Sequence, residues 1–186
     1  MAFDPTQVDA ILYTSSGCGA HLMKYPELPW SQASHQANAE AFKSKLREIT
    51  AFLAQLEWPE NIHLRTTSLR VAVHEPCSQK NGLRQRNRAM ELLRKSPGLR
   101  TETLPGNDQC CGAAGSYMLD QPDIARALRA EKLDGLRQLD PDVVVTTNPG
   151  CALFLNAGLG HDASIKAVHP VTVLADQLQP ADTRQA

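Results

Sequence analysis

The chain has 186 residues, enough for one domain with a real core. Lys and Arg number 19 against 20 Asp and Glu, a net charge of -1, so there is no cationic surplus to draw nucleic acid or an anionic membrane. No apolar run approaches the roughly 20 residues of a membrane span. Met1-Ala2-Phe3-Asp4-Pro5 has no basic stretch leading into an apolar one, so the expectation is a cytoplasmic protein without a signal peptide. Five cysteines in that compartment are poorly suited to a disulfide framework. An odd count that includes an adjacent pair points to metal or redox chemistry.

Residues 8–14 form a short apolar run that predicts a buried strand, followed by the tight loop Ser15-Ser16-Gly17-Cys18-Gly19. One or two helical turns follow over 20–24 before Pro26 and Pro29 interrupt. Residues 36–57 carry the longest helical pattern, with Ala39, Phe42, Leu46, Ile49, Leu53 and Leu56 at three- and four-residue steps, and Pro59 ends it. A β-branched run over 68–74 predicts a strand with Glu75-Pro76-Cys77 as its loop. Residues 82–95 predict a helix with Leu83, Met90 and Leu93 on one side. Arg84, Arg86, Arg88, Arg94 and Lys95 make a local basic cluster there, read as a solvated helix face. Residues 101–105 predict a short strand that delivers the loop Cys110-Cys111-Gly112. An amphipathic helix is expected over 123–139, with Ile124, Leu128, Leu133 and Leu136 inward. Pro141 separates it from 142–147, the clearest buried strand, whose loop is Asn148-Pro149-Gly150-Cys151. A short helix over 152–158, a strand over 164–168, a helix over 171–178 and a frayed tail over 179–186 complete the chain.

Strands alternate with helices after residue 68, which predicts an α/β fold, a parallel sheet flanked by helices. Cys77, Cys110-Cys111 and Cys151 each follow a strand directly. In a parallel sheet the carboxyl ends of the strands lie along one edge, so four thiols far apart in sequence can meet there. Gly112-Ala113-Ala114-Gly115 lets the backbone approach a bound group closely. A helix beginning just beyond favours thiolate. Four thiolates suit an iron–sulfur cluster or a zinc ion, and spacing alone does not choose. Inert buried thiols are the plain alternative. His74 and His169 flank the same edge, where they either support metal ligands through hydrogen bonds or cap and pack the strand ends. Cys18 is either a relic or a thiol that reaches the same centre from another part of the chain. The glycines around it lack the full phosphate-loop pattern.

The chain also repeats itself. A shift of 133 positions (142 minus 9) places Asp9 on Asp142, Thr14 on Thr147, Gly17 on Gly150, Cys18 on Cys151 and Leu22 on Leu155. Residues 8–57 therefore read as the last third of one unit and 68–178 as a complete second unit, a pseudo-repeat whose first unit is incomplete.

Together the three cysteine motifs resemble the cysteine-rich CCG domain, which usually occurs twice per chain in the cysteine-rich component of heterodisulfide reductase and in the iron–sulfur subunits of glycolate and lactate oxidases. Val73-His74-Glu75-Pro76-Cys77 is similar to the family's opening motif, and Cys110-Cys111-Gly112-Ala113-Ala114-Gly115 to its middle one. Asn148-Pro149-Gly150-Cys151 resembles the third, and His169-Pro170-Val171 with Leu174-Ala175 the closing helix. Thr14-Ser15-Ser16-Gly17-Cys18-Gly19 and Asn148 look most like the glycolate oxidase iron–sulfur subunit. Heterodisulfide reductases carry a further cysteine where Asn148 stands.

The resemblance implies a non-catalytic electron-transfer subunit with an iron–sulfur cluster of the 4Fe-4S type on Cys77, Cys110, Cys111 and Cys151. Cys18 is a further candidate ligand. It implies a flavin-containing partner subunit that oxidises a 2-hydroxy acid. It also implies a ferredoxin-like iron–sulfur region supplied elsewhere, since no Cys-x-x-Cys-x-x-Cys run occurs here. Through those partners the protein would reach the inner face of the membrane. Two alternatives stand beside this. One is a heterodisulfide or thiol-disulfide reductase subunit, against which Asn148 argues. The other is a zinc-stabilised structural or assembly domain without a redox role.

Overall fold

Two parallel sheets organise the chain, and helices lie against both. The structure, a computed structural model, describes residues 4–160 and 164–179. From residue 180 on, the expected frayed tail lies outside them. The smaller sheet pairs β1 (Ile11–Tyr13) with β2 (Leu46–Glu48). Helix α1 (Ser16–Leu22) follows β1, α2 (Ala33–Lys45) leads into β2, and α3 (Ile49–Gln55) follows it. The larger sheet contains β3 (Arg70–Val73), β4 (Arg100–Thr103), β5 (Val143–Val145) and β6 (Ala167–Val168). Its order is β4-β3-β5-β6 and every pairing is parallel. The α/β architecture expected from the alternation of strands and helices is therefore present.

The remaining helices are α4 (Arg88–Leu93), α5 (Tyr117–Asp120), α6 (Pro122–Leu139), α7 (Pro149–Leu159) and α8 (Pro170–Ala175). Strand side chains alternate between the two faces of the sheet. Val71, Val73 and Val145 pack with Ala89, Leu93 and Val173 of α4 and α8. Ala72 and Val144 pack with Leu136 and Leu155 of α6 and α7. Both faces are covered, as a parallel sheet requires. Among the described residues no helix is long and apolar enough to cross a membrane.

The two sheets share a register. Ile11 lies opposite Leu46 and Leu12 opposite Arg47, as Val144 lies opposite Ala167 and Val145 opposite Val168. The first strands of these pairs stand 133 positions apart (144 minus 11), the offset found in the sequence.

Four expectations need correction. The helix over 36–57 is two helices with a strand between them. Leu46 and Glu48 are buried while Arg47 faces out, a period-two pattern satisfied by pairing with β1. The Glu48 side chain then accepts from Ala51 N and caps α3. The helix over 82–95 begins only at Arg88. Arg84 and Asn87 take positive φ of 54° and 61°, which a helix does not allow. The segments 15–19 and 148–151 are chiefly helix starts rather than loops, because Ser15 and Asn148 are N-caps and Pro149 occupies the first helical position. Finally, Ile124 is 52% exposed, while Ala125, Lys132, Gly135 and Leu136 are buried. The small residues choose that face: Ala125 lies under Gly112, and Gly135 lies against Leu104 and Pro105.

Candidate metal centre

Three strand ends supply the thiols. His74-Glu75-Pro76 carries the chain from β3 to Cys77, where the wide helical turn Ser78–Gly82 begins. Its Gln79 and Lys80 amides donate to the Pro76 carbonyl at 3.0 Å each. After β4, Asn107 fixes the cysteine loop, donating from Nδ2 to the Val73 carbonyl at 2.8 Å and accepting from Glu75 N at 3.2 Å. Gly112 has φ +92°, and a Cβ there would lie 2.4 Å from the Ala125 carbonyl oxygen. Only glycine fits this turn without strain. Cys151 is the third residue of α7, whose first turn is capped by Asn148 Oδ1 accepting from Gly150 N at 2.9 Å and Cys151 N at 3.3 Å.

The Cys111 and Cys151 sulfurs lie 2.9 Å apart. Both are buried, at 2% and 5% exposure, among Ala113, Ala125 and Phe154. Cys110 is half-buried and accepts from Gly112 N at 3.4 Å, while Cys77 is exposed. The Cys77 side chain also interacts with the Cys110 thiol. The His74 ring belongs to the same group: the ligand atoms of His74, Cys111 and Cys151 lie within 4.8 Å of one another. His74 Nδ1 shares a 2.9 Å hydrogen bond with Thr146 Oγ1.

Electrostatics separate the thiols. The hydrogen bond from Cys151 holds Cys111 below the ordinary thiol range, against the effect of burial. That bond and burial push Cys151 up. Burial also raises Cys110. Desolvation, with the Lys132 and Lys80 charges, lowers His74 to about 3, so its ring is neutral near pH 7. A neutral ring and a thiolate at Cys111 are the forms that bind metal.

His169 is not part of this group. Its Nδ1 accepts from Val171 N at 3.2 Å, capping α8. Burial lowers its basicity while the nearby Glu48 carboxylate and Thr14 backbone raise it. Cys18 stands exposed on α1. That helix does border the centre, since Ser16 Oγ lies 2.8 Å from Ser78 Oγ. Asn107, Thr146, Lys80 and Lys132 carried no functional signal in the cysteine motifs.

The grouped donors suit a soft metal or an iron–sulfur cluster: the Cys111 and Cys151 sulfurs, the neutral His74 ring and a glycine turn that leaves the loop backbone bare. Residues 71–156 match the model of the CCG cysteine-rich domain family. Relatives include subunits named for glycolate oxidase and a lactate utilization protein. A probable glycolate oxidase iron–sulfur subunit of Bacillus subtilis is 27% identical over 179 residues, covering 94% of this chain and 40% of the relative. The glycolate oxidase iron–sulfur subunit of Escherichia coli is 31% identical over 147 residues, covering 79% and 35%. Lactate utilization protein A of Macrococcus caseolyticus is 25% identical over 184 residues, covering 98% and 74%. The chain thus spans less than half the length of either glycolate oxidase subunit.

Proposed function

We propose that the chain is an iron–sulfur electron-transfer component of a complex that oxidises a 2-hydroxy acid. In this reading Cys77, Cys110, Cys111 and Cys151 hold a cluster of the 4Fe-4S type. The observation that supports it is the buried pair of Cys111 and Cys151, whose sulfurs lie 2.9 Å apart with the His74 ring beside them. The relatives' names support it. Bound there, an iron–sulfur cluster supplies one-electron transfer, which suits a flavin-containing partner.

The chain's own residues prepare the centre. Cys111 is held toward its thiolate form. His74 stays neutral and fixed by Thr146. Ala113, Ala125, Phe154 and Met118 surround the inner thiols and exclude water. Cys77 and Cys110 form the open side that a partner can approach. The Asn148 carboxamide caps α7 through its oxygen and donates from Nδ2 to Ser78 Oγ at 3.2 Å, so it is engaged as a structural group where a reductase would carry a fifth sulfur. The reading includes two partners, a flavin-containing oxidase subunit and a ferredoxin-like iron–sulfur region, in a cytoplasmic setting at the inner face of the membrane. It also treats 68–178 as a complete unit and 8–57 as part of another.

The test is the metal and acid-labile sulfide content of protein purified without oxygen, with a visible spectrum. Iron and sulfide in matching amounts are expected. Zinc without sulfide would overturn the electron-transfer reading in favour of a structural domain.

A further inference from the structure

Two lysines are buried behind the cysteine loop. Lys80 is 6% exposed and Lys132 0%. Lysine is almost never so buried unless it is paired. Lys80 Nζ donates to the Asn107 carbonyl and Lys132 Nζ to the Gly106 carbonyl. Among the described residues neither forms an ion pair with a carboxylate. Carbonyl oxygens solvate an ammonium group but leave its charge uncancelled, and an uncancelled buried charge is costly.

The placement is specific. Lys80 comes from the turn after Cys77 and Lys132 from α6, yet both end on consecutive carbonyls of the loop that leads to Cys110 and Cys111. Burial pushes Lys132 below the usual lysine range. Negative charge at Cys111 pulls it back up, against the repulsion of the Lys80 charge, and the Glu131 carboxylate adds a smaller pull. Glu131 is exposed, so the sulfur centre supplies the buried negative charge.

We propose that Lys80 and Lys132 are positioning residues, a pair of resident positive charges that offset an anionic sulfur centre and raise its reduction potential. This rests on the reading that an iron–sulfur cluster occupies Cys77, Cys110, Cys111 and Cys151. Each reduction adds negative charge to that centre, and a fixed cation nearby favours the more negative state. Neighbours that do not touch the metal commonly change its properties by roughly 10- to 100-fold. A tenfold change in a one-electron equilibrium corresponds to about 59 mV.

The experiment separates charge from hydrogen bonding. Lys132→Gln keeps a donor for the Gly106 carbonyl and removes the charge, while Lys132→Arg keeps the charge. In cluster-loaded protein, Lys132→Gln is expected to lower the midpoint potential by about 59 mV at unchanged iron and sulfide content, and Lys132→Arg to leave it near the wild-type value. Lys80→Gln is expected to move it the same way. A loaded Lys132→Gln protein with the wild-type midpoint overturns the proposal. If Lys132→Gln does not fold, Lys80→Gln is read in its place. If neither folds, the lysines are structural and the proposal is overturned. Wild-type protein without iron and sulfide is a separate failure, that of the cluster reading. The lysines are then tested by thiolate absorbance of metal-free protein at fixed pH. A drop in Lys132→Gln supports pairing with sulfur, and no change refutes it.

Discussion

Two strand–helix pairs in this molecule start alike and end differently. The segment β1–α1 leads to Cys18 and β5–α7 to Cys151, and each cysteine is the third residue of its helix. Cys151 is buried against Cys111, while Cys18 is exposed. The difference lies in the neighbours. β5 runs between β3 and β6, whereas among the described residues β1 pairs only with β2. The strands β3 and β4 deliver Cys77, Cys110 and Cys111 beside the end of β5. A thiol at a helix start becomes part of a centre when adjacent strands end beside it, which is a property of the sheet rather than of the helix.

The largest break in this comparison comes from removing the shared sulfur. Cys111→Ser is expected to lose most of the bound metal and to lower the melting temperature, because metal binding and folding are coupled. Metal analysis of anaerobically purified protein with a thermal melt checks both. Full metal content with unchanged melting would sink the assignment of the four ligands.

Gly112→Ala tests the loop that only the second pair possesses. The new Cβ would sit 2.4 Å from the Ala125 carbonyl oxygen in a backbone of φ +92°. Left-handed strain and overpacking together predict a loss of about 3 kcal/mol in urea unfolding. A loss under about 1 kcal/mol would mean that α6 does not press on the cysteine loop.

The helix starts sharpen the comparison further. Asn148→Ala removes two hydrogen bonds to the first turn of α7 and is expected to cost about 1 kcal/mol. Ser15 caps α1 without a side-chain hydrogen bond, so Ser15→Ala is expected to stay within about 0.5 kcal/mol. Equal losses by urea titration would show that the two helix starts are energetically alike.

These contrasts mark what a single sequence reveals. Strand cores such as Val71-Ala72-Val73 and Val143-Val144-Val145 were legible because parallel strands buried on both faces are continuous apolar runs. The approach of Cys111 to Cys151 was legible by counting strand ends, whereas the place of the His74 ring beside them was open. The strand at Leu46–Glu48 was not legible, because Leu46 and Ile49 also continue the helical spacing of Ala39 and Phe42, and only distant pairing with β1 decides between them. Lys132 was hidden for a similar reason. A lysine in an amphipathic pattern is assigned to the wet face, and its burial depends on the Gly106 carbonyl, 26 positions away.

The smallest expected effect is also the most discriminating for the first pair. Cys18 is exposed, yet Ser16 on the same helix touches Ser78 in the turn after Cys77. The helix therefore borders the turn after Cys77, while the Cys18 thiol itself is exposed. Cys18→Ser is expected to leave metal content unchanged and stability within about 0.5 kcal/mol. In folded wild-type protein Cys18 should react with a thiol reagent while Cys111 and Cys151 remain protected. A Cys18→Ser protein that loses iron would instead make Cys18 a ligand contributed by the smaller sheet. The β1–α1 pair would then be part of the centre and not merely its copy.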